Sequence, residues 1–135
     1  LPEFGLKQGG AQRIGAAFTG MAVDKARFPA AVADVYRAAA LRPGALTAMI
    51  NYYRALLRTP DFANIGDGRI ETPTLMIWGE EDKALGIWCT EGVEKWVPNL
   101  TLHRLPGVSH WVQQEAPEAV NALLGDWLST PADAR

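Results

Sequence analysis

At 135 residues, 48% apolar and 21% charged with a formal net charge of −2, the chain has the make-up of a globular domain with room for a hydrophobic core. That charge balance excludes the basic footprint of a nucleic-acid binder and the polybasic stretch of a membrane-surface segment. No apolar run reaches the roughly 18–20 residues that span a bilayer.

The lone cysteine, Cys89, cannot form an internal disulfide. The Leu1-Pro-Glu-Phe-Gly5 start lacks the basic region and apolar block of a secretory leader. Together these read as a protein of the reducing cytoplasm. A start at Leu1 rather than Met reads as a processed or truncated product. Two histidines and one cysteine without close spacing predict no metal site. The Gly66-Asp-Gly68 stretch follows no strand and opens no helix, so it is no phosphate loop, and no cofactor is expected.

In chain order, a short helix is expected within residues 8–19. Phe28-Pro29 opens a second, with Val32, Val35, Tyr36 and Ala39 at helical spacing. Arg42-Pro-Gly44 punctuates the chain. Leu46, Met49, Ile50, Tyr53 and Leu57 then mark one apolar stripe of a third helix. Residues 58–72 are polar and rich in Gly, Asp and Pro, which predicts a boundary.

Beyond it the period changes. Thr74-Leu-Met-Ile-Trp78 is a continuous apolar run, as expected of a parallel strand buried on both faces. Gly79 to Gly86 reads as a loop and residues 87–97 as a helix, with Cys89 as a buried, inert thiol within it. Leu100 to Leu105 is a second strand, ended by Pro106-Gly107. Pro117 opens a last helix with Val120, Leu123, Leu124, Trp127 and Leu128 on one face. Strand, helix, strand, helix predicts a right-handed parallel unit covered by helices.

Functional groups gather at the carboxyl ends of strands in open parallel sheets. Asp82 falls just after the first strand and His110 just after the second, so the crossover places both at one sheet edge. A carboxylate beside a histidine fixes the ring tautomer and stabilises the imidazolium that forms when the ring takes a proton. An imidazole also titrates near neutral pH, which suits base catalysis. Taken singly, Asp82 is a solvated acid in the Glu80-Glu81-Asp82-Lys83 cluster and His110 is a helix-start histidine packed by Trp111. Taken as an ordered pair at two strand ends, they read as chemistry. Glu80 and Glu81 are alternative acids. His103, inside the second strand, reads as a surface residue.

Pro73-Thr-Leu-Met-Ile-Trp-Gly-Glu-Glu-Asp82 resembles the sixth core strand and acid loop of an epoxide-hydrolase-type α/β-hydrolase. Val97-Pro-Asn-Leu100 with Leu105-Pro-Gly-Val-Ser-His110-Trp111 resembles the approach to the catalytic histidine. Glu115-Ala-Pro117 resembles the start of the last helix, and Asn51-Tyr52-Tyr53-Arg54 a segment of the helical cap. The resemblance implies an α/β fold: the C-terminal part of an α/β-hydrolase parallel sheet, preceded by a helical cap segment. Residues 1–58 would be cap, 59–72 linker and 73–135 core.

It further implies that His110 is the base for a hydrolytic water, that Asp82 orients it, and that Tyr53, rather than Tyr52, polarises the oxygen of a small apolar epoxide. Tyr53 also lies on the apolar stripe, where packing alone would account for it. The sequence holds no Gly-x-Asp-x-Gly or Gly-x-Ser-x-Gly elbow. The implied nucleophile therefore belongs to an N-terminal half that is a separate chain or a lost region, and this chain alone is expected to be inactive. Haloalkane or haloacid dehalogenases and esterases of the same fold use the same pair. A non-catalytic fragment, stable only with a partner chain or as a homo-oligomer, is the remaining reading, since half a parallel sheet leaves an edge and apolar faces uncovered.

Overall fold

The helical period before residue 58 and the strand period after residue 73 fold as two units. One holds Leu1–Gly20 with Phe28–Gly66, the other Met21–Arg27 with Asp67–Arg135. The computed structural model describes residues 2–58 and 67–131. Of the expected 59–72 linker, residues 59–66 lie outside the described residues. Residues 21–27, expected with the helical segment, group with the strand-bearing unit instead.

In the first unit, α1 (Pro2–Met21) carries non-helical backbone at Gln8, Gly9, Gly10 and Ala11. The two glycines supply positive φ at little cost; Ala11 adopts φ 57 as well. Arg37, on α2 (Ala30–Ala40), donates from Nε to the Gly10 carbonyl at 2.8 Å, which steadies the kink. The expected single helix within 8–19 is therefore interrupted at its start. α2 follows Pro29, as the Phe28-Pro29 opening predicts, and Phe18 stacks on Tyr36 at 3.9 Å. Ala11, Ala40 and Leu46 form the buried cluster, with Leu6 and Ile14 packed against it.

α3 (Ala45–Arg58) carries the expected stripe, but only Leu46 on it is fully buried and Ile50 half-buried. Leu46 is 2% exposed, whereas Met49, Tyr53 and Leu57 are 46%, 68% and 89% exposed. Amphipathic spacing specifies a face; only a neighbouring element can bury it.

In the second unit, β1 (Thr74–Gly79) and β2 (Leu100–Leu105) pair in parallel, Thr74 against Leu100 through Gly79 against Leu105. Most strand residues are half-buried rather than buried on both faces. Among the described residues the sheet has two strands, so each has one unpaired edge.

The expected helix over 87–97 is replaced by two short 3-10 turns, Ile87–Thr90 and Val93–Lys95. Gly92 between them sits at φ 73, which ends any α-helical run. β-branched Ile87, Thr90 and Val93 add little helical preference. Cys89 lies in the first of these turns and is half-buried, not the buried helical thiol expected. α4 (Val112–Glu115) and α5 (Pro117–Ser129) follow β2. Pro117 opens α5, where its missing N–H costs nothing. Val120, Leu123 and Trp127 are half-buried, while Leu124 and Leu128 on the same predicted face are exposed.

Gly79, the last residue of β1, is where the two strand-end loops meet. A Cβ at this position would run into the carbonyl oxygens of Val108 and Ser109. Both are backbone atoms, which cannot swing aside as a flexible side chain can. Gly79→Ala is therefore expected to lower the unfolding free energy by about 3 kcal/mol, the upper range for overpacking. Urea unfolding of the variant beside the unmodified chain measures this.

Candidate functional site

The backbone ladder continues past the strands and fixes where the two loops go. The Glu80 N–H donates to the Leu105 carbonyl at 3.0 Å, and the Glu81 N–H to the Val108 carbonyl at 3.0 Å. The Asp82 N–H closes a turn on the Gly79 carbonyl at 3.3 Å. On the other strand, Gly107 at φ 72 turns the chain after Pro106. The route carries Val108 and Ser109 over Gly79 and delivers His110 to the acid loop.

The two side chains that this brings together are 28 positions apart in sequence. His110 Nδ1 lies 2.8 Å from Asp82 Oδ2. The other carboxylate oxygen, Oδ1, accepts the Ala84 and Leu85 N–H groups at 2.8 and 2.9 Å. One oxygen is therefore spent on holding its own loop, and the second is aimed at the imidazole. Side-chain exposure is 6% for Asp82 and 29% for His110, whose ring also sits edge-on to Trp111 at 4.9 Å.

Burial works against ionisation of Asp82, but the hydrogen bonds from His110, Leu85 N–H and Ala84 N–H outweigh it. Its carboxyl is held below the ordinary value of 3.8. An ionised carboxylate only accepts hydrogen bonds, so Nδ1 carries a proton toward Asp82, and in the neutral ring the lone pair is then on Nε2. Ile77, Trp78, Leu85 and Val112 line a hollow of about 150 Å³ beside the pair. Chemically, this is an oriented base at the rim of an apolar hollow.

The pairing selects among the acids. Asp82 meets the histidine, while Glu80 and Glu81 are exposed. His103 is half-buried in β2, opposite Ile77. Tyr53 lies on α3 of the first unit, exposed and edge-on to Tyr52 at 5.8 Å. Two residues beside the pair carried no sequence signal of their own. Ser109 is fully buried and Glu115 is 6% exposed, and they are joined by hydrogen bonds. The Glu-Ala-Pro string marked a helix start but nothing about a buried carboxylate. Among the described residues, no group of three His, Cys, Asp or Glu side chains could hold a metal ion. No described helix is long and apolar enough to cross a membrane.

The chain matches no family model. It is 32% identical over 133 residues to an AB hydrolase superfamily protein of Bacillus subtilis, a span of 95% of this chain and 44% of the relative. It is 36% identical over 89 residues to epoxide hydrolase 3 of Mus musculus, covering 64% of this chain and 23% of that one. The chain thus spans less than half the length of these relatives. A product complex of a Bacillus megaterium epoxide hydrolase mutant superposes with a TM-score of 0.75 at 23% identity, over 93% of this chain and 46% of that one. The fold is that of the C-terminal part of an α/β-hydrolase, with its helical segment and parallel strand pair, and the chain resembles the epoxide hydrolases in sequence.

The lowered Asp82 carboxyl has a stability consequence of definite sign. The folded state favours the ionised form, so the contribution is complete above the ordinary value of 3.8 and is lost as pH falls through the lower folded value. Asp82→Asn is expected to cost about 1–3 kcal/mol at pH 7, the range for losing charge-assisted hydrogen bonds in a buried setting. The gap between variant and unmodified chain should close below about pH 4. Urea midpoints measured from pH 7 to pH 2.5 check both statements.

Proposed function

We propose that this chain is the acid–histidine portion of an epoxide hydrolase that opens small apolar epoxides to diols. The observation that carries the reading is the 2.8 Å contact between Asp82 Oδ2 and His110 Nδ1, formed by two loops that each follow a parallel strand. Sequence similarity to epoxide hydrolases over about two thirds of the chain supports the choice of reaction within the fold.

The proposed sequence has two steps. An aspartate carboxylate supplied by an N-terminal half attacks one epoxide carbon; the C–O bond breaks and the epoxide oxygen leaves as an alkoxide that takes a proton. Tyr53, on α3 of the helical unit, is assigned as the donor of that proton or of a hydrogen bond to that oxygen. An ester now joins the substrate to the aspartate. In the second step His110 Nε2 removes a proton from water as the water oxygen attacks the ester carbonyl; the acyl–oxygen bond to the substrate then breaks, the departing alkoxide takes the imidazolium proton to leave as diol, and the carboxyl proton returns through solvent to the group that protonated the epoxide oxygen, restoring the carboxylate. Asp82 holds the Nδ1 proton throughout and stabilises the imidazolium. The apolar hollow beside the pair suits a substrate without charge. The protein is proposed to act in the cytoplasm and to need no metal or cofactor.

Dehalogenases and esterases of the same fold use an acid–histidine pair in the same way, so the test must separate the first step from the second. The 135-residue chain alone is expected to show no turnover of styrene oxide. Turnover by the chain alone, abolished in His110→Ala, would sink the assignment of the nucleophile to another half. Joined to an N-terminal α/β-hydrolase half that carries an aspartate elbow, it is expected to form diol. His110→Ala in that polypeptide should then lose about 10²–10⁴-fold in kcat, the usual share of general base catalysis. It should also accumulate the alkyl ester, seen as a substrate-sized gain in intact mass. Release of halide from a haloalkane without epoxide opening, or ester cleavage alone, would refute the epoxide assignment. Tyr53→Phe should slow ester formation and leave ester hydrolysis unchanged.

A further inference from the structure

Among the described residues, Glu115 is a strongly buried carboxylate that the proposed chemistry leaves without a task. Its Oε1 accepts the Val23 and Asp24 N–H groups at 2.7 and 2.9 Å. Its Oε2 accepts the Ser109 N–H at 2.9 Å and the Ser109 hydroxyl at a shorter distance. Four neutral donors thus surround one buried acid. Burial opposes its ionisation, but the Ser109 hydroxyl and the three backbone N–H groups prevail, so the carboxyl is held below its ordinary value of 4.5.

The location gives the arrangement its meaning. Ser109 directly precedes His110 and is fully buried. On one side its stretch of backbone lies against Gly79, and the Val108 carbonyl is held by the Glu81 N–H. On the other side it hangs on Glu115, which is itself tied to the 23–24 backbone. Gln114 reinforces that tie by donating to the Arg27 carbonyl at 3.3 Å, and Arg27 meets Glu118 at 3.3 Å. The histidine loop is clasped between the acid loop and the 21–27 segment. A hydrogen-bonded ring misplaced by an ångström loses most of its value in a reaction.

We propose that Glu115 is a positioning residue for His110: through Ser109 it holds the loop that keeps the imidazole against Asp82. The proposal deepens the reading of the pair as catalytic and rests on it for its functional importance, but its physical content is the geometry of the ring.

The side-chain chemistry supplies a selective probe. In Glu115→Gln the amide oxygen can keep the Val23 and Asp24 N–H groups. The amide nitrogen then faces Ser109, whose hydroxyl can turn to accept from it. The Ser109 N–H cannot, and is left without an acceptor. The isosteric change therefore strikes the His110 side of the clasp and spares the 23–24 side.

The test is NMR on the full chain, following exchange of the His110 Nδ1–H with solvent, the signal being identified by its loss in Asp82→Asn. In Glu115→Gln the Nδ1–H and the Ser109 amide are each expected to exchange at least about tenfold faster, the scale of a lost hydrogen bond to a charged group, while the Val23 amide keeps its protection. Unchanged Nδ1–H exchange in a folded Glu115→Gln chain overturns the proposal, as does equal acceleration at every amide of the unit, which would mark a merely structural role. Should Glu115→Gln fail to fold, Ser109→Ala serves instead. It removes only the hydroxyl bond and is expected to accelerate Nδ1–H exchange about threefold; no acceleration overturns the proposal. Failure of the catalytic reading is separate: it would appear as full activity of His110→Ala in the joined polypeptide and would leave the ring-exchange result unaffected.

Discussion

The second unit depends on a close approach of two backbones. Val108 and Ser109 cross the end of β1 with their carbonyls against Gly79, and a side chain of any size there would hold them off. With the approach made, the Glu81 N–H reaches the Val108 carbonyl, and the loop after β2 is stitched to the loop after β1. The 2.8 Å meeting of Asp82 and His110 follows from that stitching and from the matched ends of the two strands, Gly79 opposite Leu105. A hydrogen bond of this kind needs placement to a few tenths of an ångström, which paired strands and backbone bonds supply better than loops alone.

Asp82 illustrates how one acid can both build and serve a site. Its Oδ1 organises Ala84 and Leu85, so the carboxylate plane is set before the histidine is considered. Its Oδ2 then dictates the tautomer of His110. Glu115, after β2, repeats the pattern, with one oxygen on the 23–24 backbone and the other on Ser109. Both carboxyls are held below their ordinary values against the cost of burial because each of their oxygens meets at least one donor. The two halves of the loop system are thus held by carboxylates whose partners are mostly backbone amides, a framework that tolerates variation of surrounding side chains.

Apolar surface is distributed unevenly over the chain. In α3 the stripe is buried at Leu46 and open at Met49, Tyr53 and Leu57; in α5, Leu124 and Leu128 are open; β1 and β2 are half-buried where a central parallel strand would be covered. A central parallel strand of an α/β sheet has both faces covered by helices. The open faces agree with the chain spanning less than half the length of its relatives.

Element type was legible in the sequence wherever a long period or a strong break was present. The apolar run at 74–78, the Pro-Gly stops at 43–44 and 106–107, and the proline before α2 or at the head of α5 all act locally, through backbone sterics and side-chain alternation. The same holds for the order of Asp82 and His110 and their place after strands. Residues 87–97 form two short turns where one helix is expected, because Gly92 in its left-handed conformation divides the segment. Other questions were never local. Three acids stand side by side at 80–82; the sequence favours Asp82 and leaves Glu80 and Glu81 as alternatives, and the path of the loop over Gly79 is what carries Asp82 to the histidine. Ser109 and Glu115 look like ordinary polar residues until the 23–24 backbone, 92 and 91 positions from Glu115, completes the clasp. Sequence by itself determined which segments are helix or strand and which edge of the sheet would gather the chemistry, since those follow from short-range periodicity. Which acid meets the histidine, and what holds the histidine in place, was decided by the tertiary structure, because those contacts exist only once distant backbones are brought within hydrogen-bonding reach.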